Sequence, residues 1–231
     1  MKNILLLFVL LLSLGSYGQG FVTPLEAEDI YLMKSATVTL NDNSQMIGNK
    51  FTTWMLNNGM LTSFTLKTLN GDKVKLNAEG VKSVKIETDE RAKAMMFMEN
   101  ISMNKIVHND YVFLEHLDTV YYERVDVKDG KYRLLQLLNP GFDQYIKVYL
   151  DPNAKSTSTS STMGGFGSGE DKSFYIKKGD RSFLLTKKNY KNEFNNLFGD
   201  CQALMDMVAS KEVDVKFSEL PLHIALYNEN R

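Results

Sequence analysis

Three turn dipeptides narrow most sharply what this chain can fold into: Asn70-Gly71, Asp129-Gly130 and Gly179-Asp180, each set between short apolar-rich stretches. Asn-Gly, Asp-Gly and Gly-Asp supply the positive φ angles of a tight antiparallel hairpin. The first joins Phe64-Thr65-Leu66 to Val74-Lys75-Leu76, the second joins 121–127 to 132–138, and the third joins 174–176 to 183–185. Between residues 35 and 88 the pattern has a period of two, with Thr37 and Thr39 separating Ala36, Val38 and Leu40, and Lys75 separating Val74 from Leu76. Such alternation describes half-buried antiparallel strands.

Beyond Asn189 the period lengthens. Tyr190, Phe194, Leu197 and Phe198 form one helical stripe, with Gly199 placed to end it. Asp200 can cap a second helix bearing Ala203, Leu204, Met207 and Val208. A third follows Ser218, with Pro221 in its first turn and Leu222, Ala225 and Leu226 available for packing. The expected class is therefore α+β: a mostly antiparallel β-sheet or partly closed barrel followed by a small C-terminal helical segment.

The N-terminus reads as an export signal. Lys2 precedes an uncharged apolar run over 4–14, and Gly15, Ser16 and Gly18 are the small residues a signal peptidase accepts. Cleavage after Gly18 starts the mature chain at Gln19, and the apolar run is shorter than the ~20 residues of a spanning helix. No cysteine lies near the cut, which excludes a lipid-modified terminus. The expected organisation is a signal peptide over 1–18, a β-rich body over 19–154, a flexible Ser/Thr/Gly loop over 155–170, a hairpin over 171–188 completing the sheet, and a helical segment over 189–231. No transmembrane segment is expected in the mature chain.

With 27 basic and 28 acidic residues interspersed along the chain, nothing favours nucleic acid or an acidic membrane surface. Cys201 is the only cysteine, so no internal disulfide can form and stability must come from the core.

Chemistry-bearing motifs are sparse. His108 and His116 are eight apart and His223 is remote, which fits no helical metal pair, and surface or edge positions are expected for them. Cys201 reads as a small buried hydrophobe in preference to a nucleophile at a helix start. Asn41-Asp42-Asn43-Ser44 offers oxygen ligands for calcium but lacks the EF-hand pattern, and a strand-connecting turn explains it better. Met95, Met96, Met98 and Met103 read as core filler. The glycines of 155–170 match no phosphate-binding loop. Asn100-Ile101-Ser102 is a glycosylation acceptor pattern that matters only in a eukaryotic secretory route. Tyr121, Tyr122, Tyr132, Tyr145, Tyr149 and Tyr175 suit strand packing, with a sugar-stacking platform or an interface as alternatives. There is no G-x-S-x-G elbow. No catalytic, cofactor-binding or metal-ligating residue is assigned.

The run Leu134-Leu135-Gln136-Leu137-Leu138-Asn139-Pro140-Gly141-Phe142-Asp143, then Val148-Tyr149-Leu150-Asp151-Pro152, then Lys188-Asn189-Tyr190 through Phe198-Gly199-Asp200-Cys201, resembles a family of uncharacterised exported proteins of Bacteroidetes-type bacteria. The resemblance covers roughly 130–231, with a looser echo in 36–88, and implies export and a Gram-negative envelope setting without a mechanism. Relatives often carry a proline after the cysteine and a second cysteine near the end. Here Gln202 follows Cys201 and the chain closes Tyr227-Asn228-Glu229-Asn230-Arg231, so a disulfide does not carry over.

Three functions remain open: a non-enzymatic envelope or secreted binding or structural protein, with an envelope protein as partner through a sheet edge or the C-terminal helices; a hydrolase of envelope or extracellular polymer using dispersed carboxylates; and a small-ligand carrier with a barrel cavity lined by Val38, Leu40, Val74 and Leu76.

Overall fold

The computed structural model describes residues 20–22, 33–55, 60–91, 93–94, 118–128, 130–154 and 173–231. The expectations for 1–18, for Met95, Met96, Met98 and Met103, for 100–102, for His108 and His116, and for 155–170 lie outside the described residues.

Among the described residues, ten strands precede a C-terminal group of helices. They are β1 (Met33–Leu40), β2 (Gln45–Met55), β3 (Met60–Thr68), β4 (Lys73–Asn77), β5 (Val81–Thr88), β6 (Thr119–Lys128), β7 (Lys131–Gln136), β8 (Ile146–Leu150), β9 (Ser173–Lys178) and β10 (Arg181–Thr186). The helices are α1 (Tyr190–Phe198), α2 (Gln202–Ala209) and α3 (Leu220–Glu229), the last entered through a 3-10 turn at Phe217–Glu219. The α+β class and the antiparallel sheet are as expected. All three hairpins form, and Gly71, Gly130 and Gly179 take φ of +93°, +82° and +59°.

Seven strands make one antiparallel sheet in the order β2-β1-β5-β6-β7-β3-β4, and β2 also pairs with β3. That second pairing bends the sheet into a partly closed ring. Closure stays incomplete because β3 meets β7 only at Met60↔Leu135 and Leu61↔Leu134. Inside lies a core containing Val38, Leu61, Phe64, Leu66, Val84, Ile86 and Tyr122, against which Leu40 and Leu76 pack.

Gly48 marks the corner where β2 leaves β1 for β3, opposing Ala36 on one side and Thr68 on the other. A Cβ there would stand 2.4 Å from the Lys67 carbonyl oxygen and 2.6 Å from Leu66 Cδ1. The neighbouring backbone oxygen cannot swing away as a side chain would. Gly48→Ala is therefore expected to lower stability by about 2–3 kcal/mol, read as a shifted urea midpoint. Gly80→Ala, whose Cβ would meet only Asn77 Oδ1 at 3.9 Å, is the matched control and should shift it little.

The hairpin of 171–188 forms but does not complete this sheet. β9 and β10 pair with β8 in a separate three-stranded sheet, β10-β9-β8, with Val148 opposite Ile176 and Leu150 opposite Phe174. The β-rich body over 19–154 accordingly gives up β8 to the second sheet. The reason is apolar cover: Val148, Leu150, Phe174 and Ile176 form one core with Tyr190, Phe194, Leu197, Phe198, Leu204 and Ile224 of the helices. A small third cluster of Val125, Leu135, Leu137 and Tyr149, with the bridge Leu137↔Tyr149, welds the sheets together.

Phe21 lies two residues past the expected mature start. Its ring stacks on Phe142 at 6.2 Å and meets Phe174 edge-on at 5.2 Å, while the Val22 N–H donates to Leu138 O at 2.8 Å.

Candidate functional site

The seam between the two sheets holds a polar pocket. It begins at the turn after β1, where Asn43 adopts φ of 66° and the Asp42 carboxylate accepts from the Ser44 backbone N–H at 2.9 Å and its hydroxyl at 2.6 Å. Those bonds, the hydroxyl's first, hold the Asp42 carboxyl below the usual carboxylate range. Asn41-Asp42-Asn43-Ser44 is thus the turn expected. Its amide oxygens already serve cations: Asn41 Oδ1 accepts from Arg124 at 3.0 Å and Asn43 Oδ1 from Lys82 Nζ at 2.7 Å. Calcium placed there would face both positive charges.

From this turn the pocket extends across β5, β6, β8 and β9. Asn41, Asn43, Lys82, Ser83, Glu123, Arg124, Lys147 and Lys177 line a volume of about 440 Å³. Register assembles it from two cross-strand pairs, Ser83↔Glu123 in the large sheet and Lys147↔Lys177 in the small one. Between them Lys147 Nζ lies 2.6 Å from Glu123 Oε1, and the Tyr149 hydroxyl donates to Glu123 Oε2 at 2.6 Å. Burial first, then the Glu123 charge, pushes the Tyr149 hydroxyl far above its ordinary range, so it remains a proton donor.

The electrostatics of the lining are unbalanced. Four cationic ends face one carboxylate, and that carboxylate is already bonded to Lys147. Lys147 is also within 3.5 Å of Asp143. Among the described residues Lys82, Arg124 and Lys177 have no carboxylate partner; Arg124 instead rests 4.3 Å from the Tyr132 ring. Like charges directly opposite on neighbouring strands cost stability. The Lys147↔Lys177 pair nevertheless sits beside a cavity large enough for a small anion.

The other sequence candidates fall elsewhere. Cys201 is buried at 2 % exposure in the helical core, its Sγ 4.0 Å from Asn230 O, and occupies the N-cap position of α2 without a side-chain cap bond. Asp200, expected to cap that helix, instead binds Lys178 at 2.8 Å, Arg231, and the Tyr227 hydroxyl at 3.0 Å. Burial opposes ionisation of Asp200, but the Lys178 bond and the Lys178 and Arg231 charges outweigh it and hold the carboxyl below its usual range.

His223 corrects the expectation of a surface or edge position: it is fully buried, stacked on Tyr190, edge-on to Phe194 and tilted against Phe198. Burial is tolerated because both ring nitrogens are satisfied, Nε2–H donating to Asp214 O at 3.0 Å and Nδ1 accepting from the Tyr190 hydroxyl. Of the tyrosines, Tyr122 and Tyr149 are fully buried, while Tyr121, Tyr132, Tyr145 and Tyr175 are partly so.

Sequence reasoning missed the pocket because its members stand at 41, 43, 82, 83, 123, 124, 147 and 177. No spacing links them; only the strand register does. Among the described residues no group of three or more His, Cys, Asp or Glu is placed to hold a metal ion, and no helix is long and apolar enough to cross a membrane. The chain matches no protein-family model, no curated protein and no solved structure.

Proposed function

We propose that this is an exported, non-enzymatic binding protein of the bacterial envelope or its surroundings, and that its ligand carries an anionic group received in the pocket between the two sheets. The carrying observation is the trio Lys82, Arg124 and Lys177, which lines a polar cavity of about 440 Å³ and forms no ion pair with a described carboxylate. An anion there would accept charge-assisted bonds from Arg124 and Lys177. The export half rests on Lys2, the apolar run 4–14 and the small residues Gly15, Ser16 and Gly18, and on the resemblance to exported proteins over 130–231.

A hydrolase is less well supported at this place, since among the described residues Glu123 is the only carboxylate lining the pocket and Asp143 approaches it across Lys147. A protein partner added along β4 is also disfavoured, because that strand presents exposed Lys73 and Lys75, charges of the kind that discourage edge pairing.

Titration calorimetry with inorganic phosphate tests the reading. Binding should be measurable at low ionic strength, weaken as salt is added, and fall roughly ten- to a hundred-fold in Arg124→Ala, as loss of one charge-assisted bond implies. Lys177→Ala should act in the same direction. Phosphate binding that ignores both substitutions would place the anion elsewhere and overturn the proposal.

A further inference from the structure

We infer that the ligand of this pocket is a sugar bearing a phosphate or sulfate ester, a specification that rests on the anion reading above. The lining is of mixed sign, and that decides between anions. Lys82, Arg124 and Lys177 call for negative charge, yet Glu123 lines the same cavity and can only accept hydrogen bonds. Each Glu123 oxygen takes one described bond, Oε1 from Lys147 and Oε2 from Tyr149, which leaves acceptor capacity on both. A bare inorganic anion satisfies the cations but sets its own charge against this carboxylate. A ligand whose O–H groups donate to Glu123 while its ester faces the cations satisfies both.

The rest of the lining agrees. All eight residues are polar, so the wall offers little to an alkyl chain. Asn43 uses its amide oxygen on Lys82, which leaves its N–H groups as donors, and the Ser83 hydroxyl can both donate and accept. The volume is low in the roughly 300–1,000 Å³ range of small-molecule sites, suited to a monosaccharide unit with its ester.

The test compares glucose 6-phosphate, glucose 6-sulfate, glucose and inorganic phosphate by calorimetry on the purified protein and on Glu123→Leu, with thermal unfolding confirming that the variant is folded. Either ester is expected to bind at least roughly ten-fold tighter than phosphate, the worth of one or two added hydrogen bonds, and glucose alone to bind weakest. The two esters report whether phosphate or sulfate is preferred. In Glu123→Leu, which has no acceptor, the ester and phosphate affinities should converge to within about two-fold. Equal affinity for ester and phosphate in the unaltered protein, both lost in Arg124→Ala, would overturn the sugar and leave the anion reading standing. Absence of binding by every anion would remove both. A sugar preference that survives Glu123→Leu would refute the hydroxyl acceptor and the inference with it.

Discussion

Asn139→Ala is expected to cost about 4 kcal/mol of unfolding free energy, near the top of what one substitution does. Asn139 is fully buried in the stretch between β7 and β8, where Leu138 donates to Val148 O at 2.8 Å. The next residue, Pro140, has no N–H to continue that pairing. The Asn139 side chain takes over. Its amide donates to Phe142 O at 2.9 Å and Ile146 O at 2.8 Å, and its oxygen accepts from the Val148 N–H at 2.8 Å. Alanine removes all three bonds. Phe142 O keeps the Asn228 amide at 2.7 Å, but Ile146 O and the Val148 N–H are left bare in the core. Each buried orphan costs about 1–3 kcal/mol, and the lost packing adds to it. Chemical denaturation of the variant measures the effect; a loss under about 1.5 kcal/mol would mean that water replaces the side chain at this edge.

That side chain also gives the Leu-Asn-Pro-Gly-Phe-Asp run a structural meaning. Gly141 turns the chain at φ of +93°, Phe142 enters the core beside Phe21, and Asn139 fastens β8. The words of the motif were readable in the sequence, but their purpose was not, because the three acceptors and donors that Asn139 serves are fixed only once β8 has its place.

The same distinction runs through the whole chain. Hairpins were legible because a local φ requirement leaves a local signature, as at Gly71, Gly130 and Gly179. The α1 stripe was legible because that helix has one wet face, and Tyr190, Phe194, Leu197 and Phe198 are the residues it buries. α3 gave a weaker pattern for a physical reason: His223, Ile224, Ala225, Leu226 and Tyr227 are all buried, so no face alternates with solvent. The choice of sheet for the 171–188 hairpin depended on which strand the helices would cover, a long-range matter. Gly199 ends α1 as expected, yet at φ of −64° and not in the left-handed region, so it was chosen by space: a Cβ there would meet Asn195 O at 2.5 Å. The pocket is the extreme case. Its two halves come from different sheets, and Lys147 opposite Lys177 is a fact of register alone.

The second large effect is a loss of stability on mild acidification that depends on His223. Asp214 O can only accept, so Nε2 of His223 carries the proton and Nδ1 must accept from the Tyr190 hydroxyl. Protonating Nδ1 would reverse that bond, leave the Tyr190 hydroxyl proton without its acceptor, and put a positive charge among Phe194, Phe198 and Tyr190. Burial accordingly lowers the His223 pKa from 6.5 to about 4, against a smaller opposing effect of the Asp214 carbonyl. In the unfolded chain the imidazole titrates normally. Between pH about 6.5 and about 4 the unfolded state therefore binds a proton that the folded state refuses, and unfolding becomes easier as pH falls. The contribution is complete above pH 6.5, declines through this window by about 3 kcal/mol, and levels off once the folded protein also protonates. Urea unfolding at a series of pH values, with His223→Gln alongside, isolates the effect from carboxylates such as Asp42, Asp200 and Asp214, whose lowered pKa values move stability in the same direction but at lower pH. Glutamine keeps a donor and an acceptor without titrating. Its stability should be nearly flat from pH 7 to 5 while that of the unaltered protein falls; parallel curves would show that His223 is not the group responsible.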